Sequence, residues 1–213
     1  IDDKTLVIVL SQSGETLDTL EAMKEARRNG ARVVAITNVV GSSIAREADH
    51  VIYTWAGPEI AVASTKAYTT QIMCLYLVAL YMGKISSYIS ADEYNSYINA
   101  LKEIPELLKM TLNCESQICD LAKELYKEEN VFFIGRGTDA STAYEGSLKL
   151  KEISYINSFA IPAGELKHGT IALIEKGTLV VALATQERLQ EKMLANIEEV
   201  KARGAYVLAI AKD

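Results

Sequence analysis

The sequence has little of what metal sites, disulfide frameworks and membrane spans are made from. Its 213 residues include three cysteines, Cys74, Cys114 and Cys119, with no C-x-x-C pair, and two histidines, His50 and His168. That argues against a structural zinc site or a disulfide scaffold, fits a reducing, cytoplasmic setting, and casts Cys114 and Cys119 as small core residues. The longest apolar run, Ile72 to Met82, is too short to cross a bilayer. Positive charge is scarce as well: 22 Lys and Arg stand against 28 Asp and Glu, a net charge of −6. No nucleic acid or anionic membrane is expected as a partner, and an anionic ligand must be held locally, by backbone dipoles and a few cations. With 49% hydrophobic residues the chain can bury one large core or two modest ones.

What is present is an internal repeat. Thr5 to Leu10 is echoed by Thr178 to Leu183, and Arg28 to Ile36 by Arg203 to Ile210. Each copy is a short apolar run, a charged amphipathic stretch and a second apolar run, the pattern of βαβ units in parallel sheets, with Gly30 and Gly204 at the C′ position after a helix. The fold class expected is α/β, with two lobes that are each a parallel sheet between helices. The second lobe has a front unit of its own: a strand at Val131–Ile134, a glycine turn, and a helix carrying Lys149 and Glu152. The first lobe has no room for one before residue 1. It continues instead through Val51–Tyr53 into a long helix at about Val62 to Met82, and the second lobe stops short of that. The expectation is a piece cut at both ends: 1–90 a first lobe without its front unit, 91–120 a helical connection, 121–213 a second lobe without its C-terminal end. Ile98, Leu101, Ile104, Leu107 and Leu108 give the connection an amphipathic pattern that needs no role beyond packing, interrupted near Pro105.

Leu6 to Leu17 carries the strongest functional signal. A buried strand breaks into Ser11, Gln12, Ser13, Gly14 and Thr16 and then opens a helix. The first N–H groups of a helix have no internal partners and its dipole makes that end positive, so hydroxyls gathered there can hold a phosphate without a lysine. The plainer alternative is a serine N-cap, though the capping-box partner is missing three residues on.

Other candidates carry similar alternatives. Glu145, Lys149 and Glu152 share one helix face, as a solvated ion-pair ladder or as a carboxylate poised by an ammonium for proton transfer. His168, in the stretch Ile161 to Gly169 with Glu165 and Lys167, is either structural or an acid–base group; His50 is placed at the surface. Gly135 to Ala140 fits a degenerate dinucleotide fingerprint but lacks the acidic residue that holds a ribose. Val62 to Tyr68 opens a helix with small and hydroxyl residues, as an N-cap or as a ligand contact.

Together, Ser11–Thr16, Ala63–Ala67, Leu148–Ile156 and Gly164–Gly169 resemble, in order, the isomerase portion of the glutamine:fructose-6-phosphate amidotransferase family, which is built from sugar-isomerase (SIS) domains. The first motif is general to SIS domains; the second-lobe motifs are more specific. The resemblance implies two SIS lobes, each a three-layer α/β/α sandwich, binding a hexose 6-phosphate: fructose 6-phosphate as substrate, glucosamine 6-phosphate as product. It implies that Ser11, Gln12, Ser13 and Thr16 hold the phosphate, that Val62 and Ser64 line the sugar, that Glu152 is the proton-transfer base with Lys149 near the substrate, and that His168 opens the ring. It also implies a homodimer, since that histidine comes from the neighbouring subunit, and no metal or cofactor. The family's glutaminase domain, its upstream Gly-Thr-Ser turn and the tail lysine that forms a Schiff base are not in this sequence, so the piece alone is expected to be inactive. The alternatives are a non-catalytic phosphosugar-binding SIS regulator and an SIS deglycase or amino-sugar deaminase.

Overall fold

A computed structural model describes residues 1–212. The chain divides into two compact units, Ile1–Cys114 and Glu115–Asp213. In the first, β1 (Leu6–Ser11), α1 (Leu17–Arg28), β2 (Arg32–Thr37), α2 (Ser43–Glu47) and β3 (His50–Tyr53) precede two long helices, α3 (Lys66–Ile85) and α4 (Ala91–Leu112). The second holds α5 (Glu115–Leu125), β4 (Asn130–Gly135), α6 (Thr138–Ser154), β5 (Asn157–Pro162), β6 (Leu179–Ala184), α7 (Gln190–Ala202) and β7 (Tyr206–Ala211), with short 3₁₀ turns at Ala163–His168, Thr170–Leu173 and Glu187–Leu189. Both sheets are wholly parallel, in the orders β1-β2-β3 and β5-β4-β6-β7.

The repeat is carried into the hydrogen bonding. Leu6 pairs with Arg32 in one sheet and Leu179 with Tyr206 in the other, the positions that the sequence repeat equates. Gly30 and Gly204 both follow their helices at φ 88°. Next to them, Ala31 N–H donates to the Ala26 carbonyl at 3.1 Å and Ala205 N–H to that of Val200 at 3.2 Å. A left-handed residue at C′ lets the chain turn back into the next strand while satisfying the last helical carbonyls.

Each unit has its own core. Leu20 and Met23 of α1 pack with Val9, Val33, Ala35 and Ile44. In the second unit, Met193, Ile197 and Val200 of α7 pack with Phe132, Ile134, Val180 and Ala182 on one face of the sheet. Ala143 of α6 packs with Val131, Leu179, Val181 and Leu183 on the other. The faces of the first sheet are unequal. Leu6, Ile8 and Leu10 are 47%, 36% and 42% exposed, whereas their repeat partners Leu179, Val181 and Leu183 are 5–7% exposed. In the second unit β4 and α6 flank that position, and the described part of the first unit has no counterpart of them. α3 leaves an apolar groove against Ile8, Val34 and Ile52.

Four expectations need correcting. Helix α4 passes through Pro105 without a break and ends at Leu112. A proline forfeits one N–H and crowds the carbonyl four residues back, and on an exposed helix solvent can take that carbonyl. The stripe Leu107–Leu108 is not packed: α4 buries no residue fully, and both leucines are exposed. Cys114 and Cys119 are exposed rather than core, because they lie at the break between α4 and α5 and on α5, which buries nothing. The long helix of the first unit also starts later than the sequence suggested, at Lys66, leaving Val62 and Ser64 in the preceding turn.

A methyl group at Gly204 would come within 2.9 Å of Lys176 Cα, while one at Gly30 would meet nothing nearer than 3.4 Å. Both alanine variants are expected to lose about 1–2 kcal/mol to the left-handed backbone alone. Gly204→Ala should lose more than Gly30→Ala, and urea unfolding of the two variants checks the order.

Candidate functional site

Ser11 is the last residue of β1, and the chain leaves the sheet there to enter α1. Its buried hydroxyl accepts from Gly14 N–H at 3.0 Å and lies 3.3 Å from Thr16 Oγ1. Ser13 Oγ accepts from Glu15 N–H at 3.2 Å, which leaves its own proton free. The Gln12 carbonyl accepts from Asn38 N–H at 3.1 Å, beyond the end of β2. Thr16, not a serine, is the N-cap residue of α1, and its side chain makes no cap bond. The helix therefore meets the loop without a capping side chain. Three hydroxyls and the main chain of Gln12 to Gly14 surround that end, an arrangement that can take an anion. Ser11, Gln12, Ser13 and Thr16 are thus brought together.

Ser64 sits apart from them in its hydrogen bonding. Its hydroxyl donates to Glu59 Oε2 at 3.4 Å, and the same oxygen accepts from Ala67 N–H at 3.2 Å, so Glu59 caps α3. Val62 is 95% exposed. Asn38 links this region to the loop: its side chain accepts from Thr54 Oγ1 and Ala56 N–H and donates to the Gly57 carbonyl, at 2.7–3.0 Å. Asn38 and Glu59 escaped the sequence reading. The one signal for Asn38 was its place just past the carboxyl end of a parallel strand, where open α/β sheets bind ligands.

The second unit holds the other candidates. On α6, Lys149 Nζ lies 2.7 Å from Glu152 Oε2 and 3.5 Å from Glu145 Oε1; Lys149 and Glu145 are half-buried and Glu152 is exposed. Partial burial pulls the Lys149 pKa down, but the hydrogen bond to Glu152 and the charges of Glu145 and Glu152 outweigh it, so the ammonium is held above its ordinary value. His168 closes the 3₁₀ turn after β5. Its side chain is 75% exposed and 4.0 Å from Glu165, and among the described residues no hydrogen bond joins it to Lys149 or Glu152. The turn is anchored from behind. Arg136 Nε donates to Asn196 Oδ1 at 2.8 Å, Asn196 Nδ2 to Glu199 Oε2 at 3.0 Å, and Lys167 Nζ pairs with Glu199 at 2.8 Å. The hydrogen bond from Lys167 lowers the Glu199 pKa, with Asn196 and Arg136 adding to it.

The glycine turn after β4 does not resemble a nucleotide site in use. The first turn of α6 holds Asp139, a buried carboxylate that accepts from Thr185 N–H at 2.8 Å and Thr185 Oγ1 at 2.7 Å. A pyrophosphate would have to displace a fixed negative charge. Among the described residues no cluster of His, Cys, Asp and Glu could hold a metal, and no helix is long and apolar enough to cross a membrane.

The SIS domain family model matches residues 1–81 and 124–213. This chain belongs to the SIS domain family. Its sequence is 60% identical over all 213 residues to the glutamine–fructose-6-phosphate aminotransferase [isomerizing] of Caldanaerobacter subterraneus subsp. tengcongensis, and 54% identical to that of Fusobacterium nucleatum subsp. nucleatum. The chain spans 35% of the length of each of these relatives. Among solved structures, the C-terminal domain of glucosamine-fructose-6-phosphate aminotransferase from Francisella tularensis matches with a TM-score of 0.96 at 39% identity, over 99% of this chain and 60% of that one. The two parallel sheets flanked by helices are those of an SIS protein.

Removing the Asp139 carboxylate strands the Thr185 N–H and hydroxyl at the rim of the second sheet. Asp139→Ala is expected to lose about 1–3 kcal/mol, and Asp139→Asn, which keeps one acceptor, clearly less. Chemical denaturation of both variants tests this.

Proposed function

We propose that this SIS chain is the isomerase part of a glutamine–fructose-6-phosphate aminotransferase, which turns fructose 6-phosphate and glutamine-derived ammonia into glucosamine 6-phosphate. The observation that carries the reading is the pairing of two features within one chain. One is a hydroxyl-lined, uncapped helix N-terminus; the other is a carboxylate–ammonium pair held at 2.7 Å on α6. A regulator that only senses a phosphosugar needs the first and has no use for the second.

In this reading Ser11, Gln12, Ser13 and Thr16 hold the 6-phosphate through main-chain N–H groups and hydroxyls, with Val62 and Ser64 along the sugar. His168 gives and takes protons to open the ring. The base then takes a proton from one of two adjacent carbons, C1 and C2, and returns it to the other. A carboxylate on a rigid helix suits that task, because one group must reach both carbons without the helix moving. Glu152 is assigned as this base. Lys149, held 2.7 Å away, keeps the carboxylate in place. The chain works as a homodimer in which His168 serves the neighbouring subunit's site. It is joined in the parent protein to a glutaminase domain, acts in the cytoplasm, and needs no cofactor.

In the complete enzyme, Glu152→Gln should lower kcat by about 10²–10⁴ with KM nearly unchanged, the usual worth of a positioned acid–base group. Exchange of the C1 proton with solvent is the direct measurement, and exchange at the wild-type rate in Glu152→Gln would remove the assignment. Ser13→Ala and Thr16→Ala should raise KM for the sugar phosphate, each losing a bond to an anion worth about 1.5–3 kcal/mol. Unaltered KM in both returns the loop to an ordinary helix start.

A further inference from the structure

The anion loop contains a residue with the wrong charge. Glu15 lies between Ser13 and Thr16, where a carboxylate facing the ligand would oppose it. The side chain instead turns away. Its Oε1 accepts from Ser43 N–H at 2.8 Å, across the connection from β2 to α2. The hydrogen bonds with Ser43, aided by the nearby charge of Arg46, hold the Glu15 pKa below the ordinary carboxylate range, so the acceptor is ionised at neutral pH. The contact is one of several between the same two segments. Ile44 N–H donates to the Gly14 carbonyl at 3.0 Å. Ser42 is 3% exposed, its hydroxyl has no hydrogen-bond partner among the described residues, and it lies against Gly14 so closely that any Cβ there would overlap it. Gly14 itself has φ 67°.

We infer that Glu15 is a positioning residue for the phosphate loop: by gripping Ser43 N–H it fixes the peptide that sets the Ser13 hydroxyl. The chain of cause is short. Glu15 N–H is the donor to Ser13 Oγ, so wherever the Glu15 backbone is held, the Ser13 hydroxyl is held with its proton available to an anion. The carboxylate does this by hydrogen bonding, not by its charge. An amide oxygen should serve as well, and the loss of one negative charge near a dianion is no handicap. This inference rests on the reading of residues 11–16 as a phosphate loop.

The test is calorimetric binding of fructose 6-phosphate, and separately of inorganic phosphate, to the full-length protein. Glu15→Ala should weaken binding by about tenfold, comparable to the loss of one hydrogen bond, whereas Glu15→Gln should stay within about twofold of wild type. Ser43→Pro removes the same N–H from the other side. Ser43 is the first residue of α2 and follows an extended Ser42, where proline is well tolerated, so that variant should fold and weaken binding like Glu15→Ala. The double variant should be no weaker than either single one. Wild-type affinity in Glu15→Ala, equal loss in Glu15→Gln, or additive losses in the double variant would each overturn the inference. Ser13→Ala, measured in parallel, separates the two levels. Weakened binding in Ser13→Ala beside intact binding in Glu15→Ala removes the brace alone, and intact binding in Ser13→Ala removes the phosphate loop and the brace with it.

Discussion

In a parallel sheet every strand delivers its carboxyl end to the same rim, and the chain must turn there into a helix whose first N–H groups have nothing to donate to. The two units of this protein answer that constraint differently. In the first, the turn after β1 is lined with hydroxyls and no side chain caps α1, which leaves room for an anion from outside. In the second, the first turn of α6 carries its own anion: the Asp139 carboxylate takes the N–H and hydroxyl of Thr185 across the rim. The repeat thus has one open cradle and one closed, and the closed one fixes the helix that bears Lys149 and Glu152.

Neither rim is held by its own loop alone. In the first unit Asn38 reaches the Gln12 carbonyl with its main chain and the Thr54–Gly57 segment with its side chain, so the ends of three strands share one set of hydrogen bonds. In the second, the relay from Arg136 through Asn196 and Glu199 to Lys167 ties the turn after β4 to the turn that ends in His168. Buried or half-buried networks of this kind are costly when left incomplete and rigid when complete, which suits groups that must stay aimed at a ligand.

Much of the fold was legible because its signals are local and occur twice. Apolar runs marked most of the strands, though not β5, and Gly30 and Gly204 marked the helix ends; the register by which Leu6 faces Arg32 and Leu179 faces Tyr206 follows the repeat. The misses were set by what lies far away in sequence or outside the helix itself. Pro105 reads as a break, yet an exposed helix tolerates one lost bond. Cys114 and Cys119 read as core because small apolar residues are usually buried, and α5 happens to bury none. The grip of Glu15 on Ser43 spans 28 residues and that of Asp139 on Thr185 spans 46, so no window along the chain contains both partners. Of the candidate site, residues 11–16 stood out by composition, while helical spacing put Glu145, Lys149 and Glu152 on one face without separating an ion-pair ladder from an acid–base site. The surroundings of Ser64 and His168 depended on loop geometry that spacing does not encode.

The clasp around Lys149 also limits what that side chain can do. An amine captures a carbonyl carbon through its lone pair, and a protonated amine has none to offer. With Glu152 at 2.7 Å and Glu145 at 3.5 Å, and its pKa held above the ordinary value, Lys149 remains an ammonium across the neutral range. A ketone brought beside it would be polarised by the charge and left unattacked. Any step that joins nitrogen to carbon at this site therefore falls to a different amine, and Lys149 contributes a fixed positive field.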